Sequence, residues 1–217
     1  LKHSDGSDVL DESGNPEIKS FILKRDEVKI ISGWSYFGLV ATGSHAFEAV
    51  NLAVPENRTF VINNDIQVTD LGFDYPFLQL AETTLAVNSL GMANHFVQLV
   101  EQSFSSRSGL NRYTPAQIEF FEAELDACKR NLSDLRTGFY KCFDESWDQL
   151  NNQGRILDLK LTELSKRSRL LAHACRTTSD TLFPYCGLDA AKKETEINRV
   201  WRDIHTASQH ALLTFLD

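Results

Sequence analysis

From Ile118 to Cys142 the apolar residues Ile118, Phe121, Leu125, Cys128, Leu132, Leu135, Phe139 and Cys142 recur at alternating steps of three and four. Only a helix of about 3.6 residues per turn gathers such a set onto one face, and a stripe that long must be covered by other helices. Thr114 and Pro115 just upstream supply the N-cap and first-turn signals. The pattern repeats over Ile156–Leu182 with Leu157, Leu161, Leu164, Ser168, Leu171, Cys175, Thr178 and Leu182. A first helix is expected over Pro76–Ser103, with Leu78, Ala81, Leu85, Met92, Phe96 and Leu99 on one side. A fourth is expected from near Asp189, carrying Ile197, Trp201, Ile204, Ser208, Ala211 and Phe215. Short polar connections at Ser105–Tyr113, Asn151–Arg155 and Pro184–Leu188 make this a mostly α fold, an antiparallel four-helix bundle. The same heptad-like seams could also bury themselves against another chain.

Upstream of about Phe73 the period is two. After the polar loop Asp5–Pro16, short strand-like runs stand at Ile18–Leu23, Val28–Ile31, Gly43–Val50 and Arg58–Asn63. So few short strands leave faces and edges uncovered. A small, partial antiparallel β module is therefore expected over residues 1–66, ahead of a helical domain over 67–217. The chain opens on Leu1, in what reads as the exit of a strand, and is expected to be part of a longer protein.

Twenty-two Lys and Arg against 30 Asp and Glu give a net charge of −8, which repels a phosphate backbone and argues against nucleic acid as a partner. No run reaches the roughly 18 to 20 apolar residues of a membrane span, and a signal-peptide pattern is lacking, so a cytoplasmic location is the default expectation. Cys128, Cys142, Cys175 and Cys186 show no CxxC spacing and read as reduced core thiols. His205 and His210 are five apart, on different faces of a helix, so no shared metal is expected.

Two motifs narrow the reading. The first is Gly33-Trp34-Ser35-Tyr36-Phe37-Gly38-Leu39-Val40-Ala41-Thr42-Gly43-Ser44-His45, followed by Val54-Pro55-Glu56. The second is Asn198-Arg199-Val200-Trp201-Arg202-Asp203-Ile204-His205-Thr206-Ala207-Ser208-Gln209-His210. In this order they resemble the late β-domain signature and the closing Arg-Asp helix of the acyl-CoA dehydrogenase superfamily. The His-containing continuation is similar to the two-component flavin-dependent monooxygenases. The resemblance spans nearly the whole chain but only the C-terminal half of the family's length. It implies FAD or FMN as cofactor, reduced flavin supplied by a partner flavin reductase, dioxygen, a small aromatic substrate, and a homo-oligomer, dimer or tetramer, joined through the bundle. It further implies His205 and His210 as catalytic residues and Trp34, Thr42, Ser44, Arg107 and Ser208 as cofactor-binding ones. Read for themselves, Thr42-Gly43-Ser44 can equally be a turn, Trp34 and Trp201 core aromatics, and His45, His95 and His173 structural.

Dehydrogenases of this family carry a catalytic Glu about nine residues past the Arg of the Arg-Asp pair. Counted from Arg202 that position is Ala211, and Ile204–Leu216 contain no Asp or Glu. Neutral hydrogen-bonding side chains stand there instead, and an imidazole can both donate and accept at working pH, which suits oxygen chemistry. The loop Ser105–Arg112 has arginines but lacks the dehydrogenases' Arg-x-x-Phe-Gly, as fits looser binding of a flavin that a reductase delivers. Two further readings remain: an acyl-CoA dehydrogenase-like oxidoreductase, and a non-catalytic helical oligomerisation module. The 217 residues alone are expected to bind flavin poorly and to be inactive.

Overall fold

A computed structural model describes residues 1–62 and 67–216, which divide into two compact units. The first comprises Leu1–Trp34 and Ser44–Phe77, the second Ser35–Gly43 and Leu78–Asp217. The segment Ser35–Gly43 therefore groups with the helices, although the sequence places it inside the β region.

In the first unit the strands β1 (Ser20–Phe21), β2 (Lys29–Ile31), β3 (Ala46–Glu48) and β4 (Thr59–Phe60) form two antiparallel pairs. β1 pairs with β4, Ser20 opposite Phe60, and β2 with β3, Lys29 opposite Glu48 and Ile31 opposite Ala46. Arg58 and Glu27 form an ion pair at 2.6 Å, and their hydrogen bond draws the Glu27 carboxyl below its usual range. Ladders this short cover little, and Ile18, Ile22, Phe47 and Phe60 are exposed in this chain. Residues 63–66, with the end of the expected last strand and the expected domain boundary, lie outside the described residues.

The second unit is built on α1 (Phe77–Ser108), α2 (Pro115–Gln153), α3 (Asp158–Leu182), α4 (Glu196–Ala207) and the single turn α5 (Ala211–Thr214). α2 starts where the sequence marks it: Thr114 accepts from the Gln117 backbone N–H while Gln117 Oε1 accepts from that of Thr114, at 2.9 Å. It ends at Gly154, whose φ of 67° suits a residue without Cβ. Pairing fixes the directions. Glu101 bonds Lys129 and Phe104 stacks on Phe121, so α1 and α2 are antiparallel. Gln79 meets Ser165 and Glu82 meets Arg169, so α1 and α3 are parallel. α2 and α3, separated by the short turn after Gln153, run antiparallel. Phe96, Phe139, Leu164, Leu171, Leu182 and Ile204 fill the core and are almost completely buried.

Two expectations are corrected. Of the stripe expected on α1, Phe96 is buried but Leu78 is half exposed; Ala86, Leu90, Ala93, Val97 and Val100 line the bundle instead, with Gln79, Glu82 and Thr83 buried nearer the N-terminus. α1 is apolar on more than one side, so a single period does not say which side faces in. The fourth helix is not one long helix. Residues Leu188–Ala191 form a 3₁₀ turn, α4 runs only 12 residues, and Ser208–His210 separate it from α5. Among the described residues no helix is long and apolar enough to cross a membrane.

Candidate functional site

α4 carries most of the chemistry-bearing residues of the second motif. Its inward stripe places Val200, Ile204 and His205 against the bundle, and Asn198 donates to the Ala190 carbonyl at 2.7 Å. Trp201 stacks on Phe183 at 4.7 Å and lies 4.0 Å from the His205 ring.

His205 is buried. One ring nitrogen, Nδ1, is 2.7 Å from the Trp201 carbonyl and the other, Nε2, is 2.7 Å from Asp180 Oδ1 on α3. Both ring nitrogens are thus occupied within the chain, and neither is left for a ligand. Ser208, the C-cap of α4, is engaged in the same corner: it donates to the His205 carbonyl at 3.0 Å and accepts from Arg176 at 3.2 Å. Arg176 also approaches Asp180 at 3.9 Å. The structure thus gathers His205, Ser208, Arg176 and Asp180 into one network between α3 and α4. Asp180 and Arg176 escape the sequence reading because they stand on another helix and match no local motif.

His210 is placed differently. It is exposed, at the N-cap of α5, and its Nδ1 accepts from the Leu212 backbone N–H at 3.3 Å. In the neutral ring the hydrogen then sits on Nε2, which has no hydrogen-bond partner among the described residues. The break in the helix creates this arrangement, because a continuous helix would have spent the backbone groups of residues 208–212 internally.

Arg107, near the end of α1, is half buried: it donates to the Tyr185 carbonyl and lies 5.9 Å from the centre of the Tyr113 ring. Gly187 lets it in, since a Cβ at that position would collide with the guanidinium. Its charge therefore faces the chain's own backbone first. Thr42 is exposed, closing the 3₁₀ turn Val40–Thr42 and donating its hydroxyl to the Leu39 carbonyl at 2.8 Å. Trp34 and Ser44 belong to the first unit, where the Trp34 and Gly33 N–H groups donate to His45 Nδ1 at 3.1 and 3.3 Å and fix that corner. His95 pairs with Glu196 at 3.0 Å, and His173 reaches the Thr214 carbonyl at 3.1 Å.

Burial pushes Cys175 and Cys186 up to about 12, and the four cysteines are free. Among the described residues no group of three His, Cys, Asp or Glu could hold a metal ion. Around the α4–α5 turn Gln209 and His210 are exposed, whereas the Thr206 hydroxyl is buried against Gly38.

The chain is similar to indole-3-acetate monooxygenase of Pseudomonas putida, 26% identical over 88% of this chain and 50% of that protein. It is 24% identical to the flavin-dependent monooxygenase oxygenase subunit HsaA of Mycobacterium tuberculosis, over 95% of this chain and 55% of that one. The chain thus spans about half the length of the curated relatives it matches. Among solved structures, 3-HSA hydroxylase from Rhodococcus sp. RHA1 superposes with a TM-score of 0.81 at 19% identity, over 96% of this chain and 56% of that one. XiaF from Streptomyces, a structure holding FADH2 and glycerol, superposes at 0.78 with 19% identity, over 94% of this chain and 54% of that one. A profile described as "Acyl-CoA dehydrogenase, C-terminal domain" matches residues 83–215, more than half of the chain, and the chain belongs to that family.

Proposed function

We propose that this chain is the C-terminal half of the oxygenase component of a flavin-dependent monooxygenase that acts on a small aromatic substrate. The observation that carries the reading is the exposed His210 ring, with Nε2 open in a stretch, Ile204–Leu216, that holds no carboxylate. The names of the relatives support the same class, and FADH2 in a structural neighbour supports FAD over FMN. A separate flavin reductase supplies the reduced cofactor, and contacts between bundles join copies of the chain. Bound reduced flavin supplies the activation of dioxygen. The chain's part is to donate a hydrogen bond from His210 Nε2 toward the ring or a phenolic oxygen, to present Thr42 as a neutral partner, and to keep carboxylates away. His205 contributes by holding α4 on α3.

Anaerobic titration of the full-length protein with reduced FAD and reduced FMN tests this. Saturable binding of reduced FAD, tighter than that of reduced FMN, is expected, together with no bleaching of oxidised flavin by acyl-CoA thioesters. Bleaching by a thioester would replace the reading with a dehydrogenase. Failure to bind flavin in either redox state would leave only an assembly role.

A further inference from the structure

α4 does more than carry the histidines: it grips three consecutive residues of the Ser35–Gly43 segment. Arg202 donates from Nη1 to the Phe37 carbonyl, while its Nε and Nη2 are tied to Asn198 Oδ1 at 2.9 Å and to the Lys193 carbonyl at 3.1 Å. Gly38 is buried so closely against the Arg202 backbone and the Thr206 hydroxyl that any Cβ would collide with both. The Leu39 N–H donates to Asp203 Oδ1 at 2.6 Å, a short, charge-assisted bond. Leu39 has φ 51°, a left-handed conformation that a branched side chain resists, so an external tie is needed to hold it there. Leu39 in turn starts the turn Val40–Thr42 and accepts from both the backbone N–H and the hydroxyl of Thr42. The aromatic edge of Phe37 against Trp201, at 6.3 Å, completes the seat.

We infer that Arg202 and Asp203 are positioning residues that fix the conformation of the turn presenting Thr42, so that one short helix sets both this turn and the turn bearing His210. The adjacency of the two residues is what makes this work. About 100° apart on the helix, they reach two points of the same segment instead of pairing with each other. The inference rests on the flavin reading above, because positioning matters only if Thr42 faces the cofactor.

The test uses the full-length protein in two arms: amide hydrogen exchange without flavin, and affinity for reduced FAD. Asp203→Ala is expected to speed exchange across residues 35–43 and weaken reduced-FAD binding, each by about tenfold or more, with exchange in α2 and α3 unchanged. Asp203→Asn keeps an acceptor for the Leu39 N–H and is expected to recover most of both. If Asp203→Ala does not fold, Gly38→Ala, which pries the segment off α4, carries the same expectation. Wild-type exchange over 35–43 would overturn the clamp, and faster exchange with unchanged affinity would overturn positioning. A wild-type protein that binds no reduced flavin is recognised before any substitution is made; it overturns the reading of function and the proposal with it.

Discussion

His205 and His210 stand five positions apart and belong to different chemical worlds. Packing takes the first: the Trp201 carbonyl and the Asp180 carboxylate occupy its two nitrogens. The second caps a turn with one nitrogen and leaves the other open. His205→Ala is therefore expected to cost about 1–3 kcal/mol in a thermal or denaturant melt, through lost packing and a carboxylate left without its donor. His210→Ala should change stability by only about 0.5 kcal/mol yet lower hydroxylation by the full-length enzyme about a hundredfold. The reverse pattern would exchange their roles. The sequence carried both histidines and favoured His205 for the flavin site, but it could not show that ring's burial, which depends on Asp180, 25 positions upstream. The thiols give a second check at this scale. With Cys175 and Cys186 raised to about 12 by burial, native protein should react with a thiol probe at Cys128 first, the one thiol that is not fully buried. Rapid labelling of Cys175 in the folded chain would contradict its placement.

Among the helices, α2 and α3 were legible to within about three residues, α2 because a stripe, the Thr114–Gln117 capping pair and Gly154 coincide, α3 from its stripe and the Phe183-Pro184 that follows it. α4 and α5 were not. Ser208-Gln209-His210 contains neither Gly nor Pro, and apolar spacing runs on through Ala211 and Phe215, so only side-chain bonds to the backbone reveal the break. The α2–α3 contact also holds a charge cluster that makes a pH prediction. Glu163 is drawn down to about 2, first by its bond from Lys160 and then by that from Arg167, while Lys160 is raised by Glu145 and Glu163. A depressed carboxyl stabilises the fold above the unfolded value near ~4.3 and loses that contribution as pH falls toward about 2. Because Glu163 is 40% exposed, solvent screening limits the contribution to about 0.5–1 kcal/mol. Melting temperatures taken from pH 5 down to pH 2 should fall more steeply for the wild type than for Glu163→Gln. Parallel curves would mean the cluster is energetically silent.

At the scale of the whole molecule, the two units differ in how much of themselves they bury. The helical unit closes around Phe96, Phe139 and Leu171, whereas the β unit leaves Ile18, Ile22 and Phe47 exposed, and the chain spans about half the length of its relatives. The family was legible because two separated motifs fall in order. What stayed hidden was the grouping of Ser35–Gly43 with the helices, since that contact joins Leu39 to Asp203 across 164 positions. The proposed function rests on the imidazole-bearing stretch Ile204–Leu216, which holds no Asp or Glu. Supplying the full-length protein with reduced FAD, a panel of small phenols and indoles, and isotopically heavy dioxygen tests it most directly. Heavy oxygen in a hydroxylated product, lost with His210→Ala and kept with wild-type His210, is the predicted result. Oxygen derived only from water, or turnover of an acyl-CoA in its place, would contradict it.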